Sequence, residues 1–396
     1  MNLHAYPLAW TRHEAVRAAA TRWQRRGLLS AEQLQAIEAA YPLDFYRPHL
    51  LLRIGLFIFT IFGASFGAGL LGIMFQANVI VTLVLGIAAG VLVLERLFIR
   101  DKRLYHAGAD NALLYLVLLG AVGLIGYVVF EATAPAGADT GLGSPRLLLV
   151  LLLVLVVLLL ATLRYADRLV AVVMLLTFLL TVTNLCLRLP GGTLLLPFAL
   201  LLTSAGAYRV VAARLRQSRY LYYHRCLHWL KALTLLTAYL SVNYLVVREG
   251  HAALQELPGP SRQIPLAPLF YLTTAGIPLL YLVYGLLRPD RSWLWLGLLT
   301  AALSVYTLRH YRSVLPPETA AVLAGAALTA FAAATTWYLR RGRHGLTSAA
   351  DDAQEPPVNL ESLVVAQTAP SVGQAPAPGF QFGGGHSGGG GADGSY

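Results

Sequence analysis

Long apolar runs recur along this chain, and they constrain its fold more than any other feature. Ten stretches of 17 to 24 residues are rich in Leu, Val, Ile, Ala and Phe, and polar turns separate them. A helix needs about 20 apolar residues to cross the hydrocarbon core of a bilayer. Only helices and closed barrels satisfy their backbone hydrogen bonds in lipid, and the alternating pattern of a barrel is absent from the sequence. The sequence therefore predicts an all-α, polytopic transmembrane bundle of about ten spans.

The predicted spans divide the chain into three regions. We expect a short helical hairpin at residues 1–49, a transmembrane domain at 50–340 and a disordered Pro- and Gly-rich tail at 341–396. Only 12% of the residues are charged, about half the usual share of a soluble domain, which agrees with this division. The spans are predicted at 51–74, 78–99, 109–130, 146–163, 168–188, 192–212, 228–247, 265–287, 292–308 and 318–339.

The positions of the basic residues predict the orientation of the chain. If the N-terminus is cytoplasmic, 24 of the 30 Lys and Arg residues fall in cytoplasmic segments and 6 fall in outer segments. Short cytoplasmic loops of membrane proteins carry an excess of Lys and Arg. We therefore expect a multi-pass protein with both termini in the cytoplasm. Residues 1–49 contain no apolar stretch typical of a cleaved signal peptide, so the first span is expected to direct insertion.

Small residues in the first two spans predict a closely packed helix pair. Gly63 and Gly67 lie four residues apart in the first span, and Gly86 and Gly90 do so in the second. Small residues at this spacing allow two helix backbones to approach each other. An internal five-plus-five repeat, typical of many secondary transporters, is not visible in the sequence.

Ionisable side chains on the inner side of the spans are candidate functional residues, because their burial in hydrocarbon is costly. Glu95 lies near the inner end of the second span, and Asp110 opens the third. We expect each carboxylate to lie at the interface and to pair with an arginine, Arg96 in the first case and Arg96 or Arg103 in the second.

A second set of candidates lies at the outer ends of the spans, among several tyrosines. Its members are Asn184, Arg188, Asn243, Arg248, Arg309 and Arg312. Arginine binds carboxylate and phosphate groups well, so these residues could line a vestibule for an anionic substrate. The alternative, which we favour, is that Arg and Tyr anchor helix ends at the interface and that Asn joins neighbouring helices.

Motifs for catalysis or metal binding are not found. His224 and His228 share one face of a helix, but Cys226 points elsewhere and a third ligand is missing. Nucleophile elbows, HExxH sequences and phosphate-binding loops are absent from the sequence. We therefore predict neither a cofactor nor a metal, and enzymatic activity is not the expected function.

The hairpin carries clear helix-end signals. Ser30 and Gln33 form a capping-box pattern, and Gly27 fits the left-handed end of the preceding helix. The first helix is rich in arginine and suits an anionic membrane surface. The second helix carries Glu32 and Glu38 and no basic residue, which excludes a role in reading nucleic acid.

Residues 23–41 follow the pattern W-x3-G-x2-S-x2-Q-x3-I-x3-Y. The residues that carry it are Trp23, Gly27, Ser30, Gln33, Ile37 and Tyr41. This pattern, ahead of many spans, resembles the opening of a bacterial family of predicted integral membrane proteins with a domain of unknown function. The resemblance implies a bacterial cytoplasmic (inner) membrane protein, and it implies neither a reaction nor catalytic residues.

Three functions are compatible with these features. The first hypothesis is a non-enzymatic protein that binds or organises a protein partner through the hairpin or the tail. The second is a transporter or flippase that passes an anionic substrate through the outer vestibule. The third, a membrane transferase that acts on lipid-linked substrates, has the least support, because the sequence offers no evident acid, base or nucleophile.

Overall fold

The computed structural model describes residues 4–75, 78–132, 141–255, 261, 263–288, 290–311 and 317–340. Regular structure in these ranges is helical, which confirms the predicted all-α class. The helices are α1 (Leu8–Arg25), α2 (Ala31–Ala40), α3 (Leu50–Met74), α4 (Val79–Leu92), α5 (Ala109–Ala132), α6 (Pro145–Tyr165), α7 (Arg168–Leu187), α8 (Gly192–Leu215), α9 (His224–Leu240), α10 (Tyr244–Leu254), α11 (Ala267–Leu287), α12 (Arg291–Tyr311) and α13 (Pro317–Leu339). The predicted tail at 341–396 lies outside the described ranges.

Seven helices in the described ranges are long and apolar enough to cross a membrane. They are α3, α4 with its π-helical continuation Val93–Asp101, α5, α6, α7, α8 and α11. The bent pair formed by Ser218–Leu240 and Tyr244–Leu254 raises the number to eight if it counts as one span. A multi-pass membrane protein is therefore well supported, with fewer clear spans than the ten predicted.

The last two predicted spans explain part of the difference in number. Helices α12 and α13 occupy the predicted positions, but neither is among the seven. Helix α12 contains Ser, Thr, Tyr and Arg, which are less hydrophobic than the Leu and Val that fill α6, so its length alone does not identify it as a span. Helix α13 is rich in Ala, and several of its side chains lie outside the described residues to which the count of seven applies.

The predicted span at 228–247 is not a continuous helix. Helix α9 ends at Leu240, and α10 begins at Tyr244 with its axis turned by 74°. Asn243 caps α10, because its side-chain oxygen accepts hydrogen bonds from the amides of Leu245 and Val246. A strong N-cap residue inside an apolar run ends one helix and starts another.

Close helix packing occurs at a different pair from the predicted one. A Cβ atom at Gly63, Gly67 or Gly86 would meet no atom within 4 Å, and an apolar cleft of about 530 Å³ opens between α3, α4 and α5. A Cβ atom at Gly285 or Gly297 would instead lie 2.8 Å from a side-chain atom of the facing helix. The predicted tight pairing of the first two spans through these glycines is therefore wrong. Gly90, the fourth, instead faces α5, where a Cβ atom would lie 2.5 Å from Val117, and glycines also bring α11 and α12 together.

The hairpin has the predicted helix ends and is attached to the bundle. Ser30 and Gln33 form the reciprocal hydrogen bonds of a capping box, and Gly27 has a φ of +71°. The segment before α1 binds the bundle directly, because the amide of Ala5 donates to the carbonyl of Arg164 at 2.8 Å. Beside this contact, Trp10 is buried in an aromatic cluster of the same core.

Gly108 lies where the loop after α4 meets the start of α3. Its φ is +100°, and a Cβ atom there would lie 2.2 Å from the carbonyl oxygen of Arg53, a backbone atom that cannot rotate away. We expect Gly108→Ala to lower the free energy of unfolding by about 2 kcal/mol. Thermal unfolding in detergent measures the change. Gly123→Ala is the matched control, because a Cβ at Gly123 meets nothing within 4 Å, and equal midpoints for the two variants would contradict the prediction.

Candidate functional site

A group of buried and half-buried polar side chains lies where α5 and α7 begin, on the side of the bundle that carries the hairpin. We call it the hairpin-side cluster. Its members are Tyr6, His106, Asp110, Asn111, Tyr115 and Asp167. Several charged groups surround it, so polar chemistry is concentrated at this end of an otherwise apolar bundle.

Asp110 is the centre of one half of the cluster. It is completely buried, and its carboxylate accepts hydrogen bonds from the Tyr6 hydroxyl and from the amides of His106 and Ala107, each at 2.8 Å. The prediction placed Asp110 at the interface beside an arginine. The structure gives it neutral donors instead, and burial together with the nearby carboxylate raises the pKa of Tyr6 well above its usual value.

Asp167 is the centre of the other half. One carboxylate oxygen accepts the amide of Val170 at 3.0 Å and so caps α7. The carboxylate also accepts the side-chain amide of Asn111 at 2.9 Å and the hydroxyl of Tyr115 at 3.0 Å. Burial raises the pKa of Asp167. Asp167 was not among the candidates predicted from the sequence, although an Asp before an apolar helical run is a standard N-cap signal.

His106 connects the two halves. Its backbone amide binds Asp110, and its ring nitrogen Nδ1 lies 4.0 Å from a carboxylate oxygen of Asp167. Burial, with further contributions from nearby arginines, lowers the pKa of His106 to about 3. The arginines are Arg225, Arg47, Arg168 and Arg53. The imidazole is therefore neutral in the folded protein at physiological pH.

This buried histidine predicts a loss of stability in mild acid. An unfolded histidine takes up a proton below a pH of about 6.5, whereas folded His106 does so only near pH 3. Stability should therefore fall by about 1.4 kcal/mol per pH unit below 6.5, or about 2 kcal/mol by pH 5. Protonation of Asp167, whose pKa is raised, offsets part of this loss below the folded-state pKa of that carboxyl group.

Melting temperatures in detergent between pH 7.5 and pH 5 measure this dependence. His106→Asn is the matched variant, because the φ of +49° at this position suits asparagine and the variant carries no titrating ring. Its melting temperature should change less with pH than that of the wild type. Parallel curves for the two proteins would rule out His106 as the origin of the acid sensitivity.

Glu95 pairs with a different arginine from the predicted one. Arg164 donates two hydrogen bonds to its carboxylate, from Nε at 2.6 Å and from Nη2 at 2.7 Å, and the hydroxyl of Tyr165 adds a third at 2.9 Å. This forked ion pair joins the end of α4 to the end of α6, so Arg96 is not the partner. A cavity of about 550 Å³ next to the pair is also lined by Arg100 and Arg103.

At the C-terminal end of α7, Asn184 and Arg188 hold a turn in place. Asn184 is buried and donates to the carbonyl oxygens of Leu142 and Ser144. Arg188 donates to the same Ser144 carbonyl at 2.7 Å and to the side-chain oxygen of Asn184 at 3.1 Å. These bonds attach the end of α7 to the segment before α6, which agrees with the interpretation that Asn joins helices.

Asn243 belongs to a second group, at the break between α9 and α10. Its side-chain amide donates to the hydroxyls of Tyr239 at 2.8 Å and Thr307 at 3.1 Å. The next amide along the chain, that of Tyr244, donates to the Thr274 hydroxyl at 2.9 Å. Side chains of α9, α11 and α12 therefore satisfy the polar groups of the break.

Arg248 extends this second group along α10. Its guanidinium lies 4.4 Å from the ring centre of Tyr311 and donates to the Ser261 hydroxyl at 3.0 Å, while Glu249 accepts the hydroxyls of Ser261 and Tyr311. Arg309 is exposed on α12. Of the remaining outer candidates, Arg312 lies outside the described residues.

The outer candidates thus have separate sets of partners, one around Ser144 and one around the break. A cavity of about 310 Å³ lies between α7, α8, α9 and α10, and its polar lining consists of hydroxyl groups. They belong to Thr183, Ser204, Thr237 and Ser241. Neither Asn184 nor Asn243 lines this cavity.

Possible metal ligands are sparse in the described part of the chain. His224 and His228 stack edge to face with ring centres 4.4 Å apart. Groups of three or more His, Cys, Asp or Glu that could hold a metal ion are not found among the described residues. Cys186 and Cys226 are both unpaired and buried, and the Cys226 thiol donates to the Ala166 carbonyl at 2.8 Å.

Comparison of the chain with protein families, with curated proteins and with solved structures finds no match. The resemblance of residues 23–41 to a family of predicted membrane proteins therefore stays a prediction.

Proposed function

We propose that this chain is a non-enzymatic, multi-pass protein of a bacterial inner membrane that binds a protein partner through α2. In this proposal α12 and α13 also cross the membrane, which makes ten spans, and both termini are cytoplasmic. The bias of basic residues toward one set of loops supports the orientation. The tail at 341–396 offers a second partner-binding segment.

The observation that carries the proposal is the contrast between the two helices of the hairpin. Helix α1 is anchored, because its Glu14 accepts hydrogen bonds from Arg47 and from Arg225 of α9. Helix α2 contains no buried residue, and a capping box and the ion pair between Arg17 and Glu38, at 3.1 Å, support it. A rigidly mounted, exposed and acidic helix is a suitable docking surface for a protein.

Site-specific crosslinking tests the partner-binding surface. A photo-reactive amino acid replaces Gln35, an exposed residue of α2, and Gln217, an exposed residue after α8, serves as the matched control. We expect a discrete protein adduct from position 35 and none from position 217, and Glu32→Lys should reduce the adduct at least five-fold. Adducts of equal yield at both positions, or lipid adducts alone, would refute the proposed surface.

Reporter fusions test the orientation separately. Fusions after residues 104 and 344 should report the cytoplasm, and a fusion after residue 76 should report the outer side. A cytoplasmic signal at 76 would reverse the proposed topology. An outer signal at 344 would show an odd number of spans and would refute the ten-span topology.

Transport is the second candidate function, and the break between α9 and α10 favours it. Broken helices near hydroxyl-lined cavities form substrate sites in many transporters. A cysteine at Thr237, on the cavity between α7 and α10, should react with membrane-impermeant thiol reagents added from either side if the cavity takes part in alternating access. Labelling from one side alone, or from neither, would argue against transport.

A further inference from the structure

A small polar cavity of about 310 Å³ lies where α3, α5 and α7 begin, next to the hairpin-side cluster. Arg53 enters its lining from α3, Asn111 from α5, and Asp167 and Arg168 from the start of α7. All three helices are long and apolar enough to cross a membrane. Because the ends of membrane-crossing helices lie at the level of lipid headgroups, the cavity lies at that level too.

One wall of the cavity is apolar and open to the surroundings of the bundle. Ile54 and Leu169 contribute to this wall, with exposed fractions of 47% and 49%, and Phe57 lies one turn further along α3. In a bilayer, exposed apolar side chains at the start of a span face acyl chains. The cavity therefore suits a ligand with a polar head and an apolar tail.

One acceptor in the lining of the cavity lacks a hydrogen-bond donor. Asn111 directs its amide nitrogen to Asp167, and its amide oxygen is buried without a donor among the described residues. Reversing the amide would place its oxygen against the Asp167 carboxylate, so the observed orientation is the favourable one. A buried acceptor without a donor is costly, and a ligand N–H group would satisfy it after a small rotation of the Asn111 side chain toward the cavity.

The lining of the cavity also carries positive charge. Arg168 is exposed at the mouth, and Arg53 is held in place because its Nε donates to the carbonyl of His106 at 2.7 Å. Guanidinium groups bind phosphate through paired hydrogen bonds. Groups that bind an anion and groups that accept from a donor therefore line one cavity of headgroup size.

We propose that this cavity binds the headgroup of a phospholipid that carries a primary ammonium group. The ammonium donates to the Asp167 carboxylate and to the free amide oxygen of Asn111, and the phosphate lies between Arg53 and Arg168. A trimethylated ammonium has no N–H group and leaves Asn111 unsatisfied. A phospholipid headgroup and a soluble amine phosphate share the same ammonium and phosphate ester groups. The apolar wall of the cavity favours the phospholipid as the ligand. This site does not depend on the proposed partner surface of α2.

Native mass spectrometry of the full chain in detergent tests the site. The probes are phosphatidylethanolamine, its mono-, di- and trimethylated derivatives, and phosphatidylglycerol, all with the same acyl chains. We expect affinity to fall along the methylation series by about ten-fold in total, which corresponds to the loss of one charge-assisted hydrogen bond. Phosphatidylglycerol, which has no ammonium group, should bind more weakly than phosphatidylethanolamine. Equal affinity for the first and last members of the series would overturn the proposal.

Two variants assign the preference to the named residues. Asp167→Asn keeps a residue that caps α7 but removes the charge, and it should abolish the preference for the primary ammonium. Arg168→Gln, at the exposed mouth, should weaken all phospholipids at least three-fold, and Arg216→Gln, exposed after α8, is the matched control without effect. Because Arg168→Gln alters only an exposed side chain, it tests the site even if Asp167→Asn does not fold. Unchanged binding by Arg168→Gln would overturn the proposal.

Soluble phosphoethanolamine distinguishes the two sources of this chemistry. If the ligand is a lipid, soluble phosphoethanolamine should displace phosphatidylethanolamine only at concentrations at least a hundred-fold higher than that of the lipid. Displacement at comparable concentrations would assign the cavity to a soluble amine phosphate and refute the lipid assignment.

Discussion

Asp110→Ala is expected to lower the free energy of unfolding by about 4 kcal/mol and to release the segment before α1 from the bundle. The carboxylate accepts three hydrogen bonds in a fully buried site, and alanine leaves all three donors without a partner. Hydrogen bonds to a charged acceptor contribute about 1.5–3 kcal/mol each, and removal of the charge also ends the cost of burying it. The estimate therefore lies just below the lower end of their sum.

Two milder variants separate the effect of losing the whole Asp110 carboxylate from the effect of losing one of its hydrogen bonds. Tyr6→Phe removes one of the three donors, so its effect should be about 1–2 kcal/mol. Asp110→Asn keeps one acceptor oxygen and should fall between Tyr6→Phe and Asp110→Ala. If all three variants melted at the wild-type temperature, Asp110 would not be the attachment point of the hairpin.

The natural cysteines report the release of the segment without added labels. Cys226 is 1% exposed and belongs to the same buried cluster as Tyr6, whereas Cys186 lies near the far end of α7. Asp110→Ala should increase the rate at which a thiol reagent modifies Cys226 by at least ten-fold, with little change at Cys186. Equal increases at both thiols would indicate general unfolding and would contradict a local role.

The helices could be predicted from the sequence because their signals are local. Apolar runs defined the spans, and nine of the ten predicted runs coincide with helices of the structure. The capping box of Ser30 and Gln33 was also predicted, since all of its atoms lie within four residues. The break at Asn243 was missed because the apolar run continues through it, although Asn243 itself was identified as a candidate.

The partners of the polar residues could not be predicted, because the contacts are distant in sequence. Asp110 binds Tyr6, 104 residues away, and Glu95 binds Arg164, 69 residues away. A sequence offers neighbouring arginines as the nearest charges, which is why Arg96 was the expected partner. In both cases packing of the helices selects the partner, and the charge pattern along the chain carries no information about packing.

Asn243→Leu is expected to lower the free energy of unfolding by about 3 kcal/mol and to straighten or loosen the bend between α9 and α10. Leucine has the same number and branching of side-chain heavy atoms with bulkier methyl groups, so the change removes hydrogen bonds without opening a cavity, and overpacking in this buried site adds to the cost. The amides of Leu245 and Val246 lose their cap, which costs about 1 kcal/mol. The hydroxyls of Tyr239 and Thr307 lose a partner in a buried site, which accounts for the remaining ~2 kcal/mol.

Matched variants divide the effect between the cap and the buried contacts. Asn243→Ser keeps a capping oxygen and should cost about 1–2 kcal/mol, and Thr307→Val removes one contact and should cost about 1 kcal/mol. Thermal unfolding in detergent gives these values. A cost for Asn243→Leu no larger than that for Thr307→Val would show that the cap does not stabilise the break.

The geometry of the bend can be measured in the same variants. Spin labels at Trp229 on α9 and His251 on α10, in a background without Cys186 and Cys226, report the distance between the two helices. The wild type should show one narrow distance distribution, and Asn243→Leu a broader one. Because the polar groups of the break are already satisfied by α9, α11 and α12, the bend is expected to be a fixed structural element. Two distances in the wild type, with one selected by the variant, would instead make the break a moving part and would strengthen the case for transport.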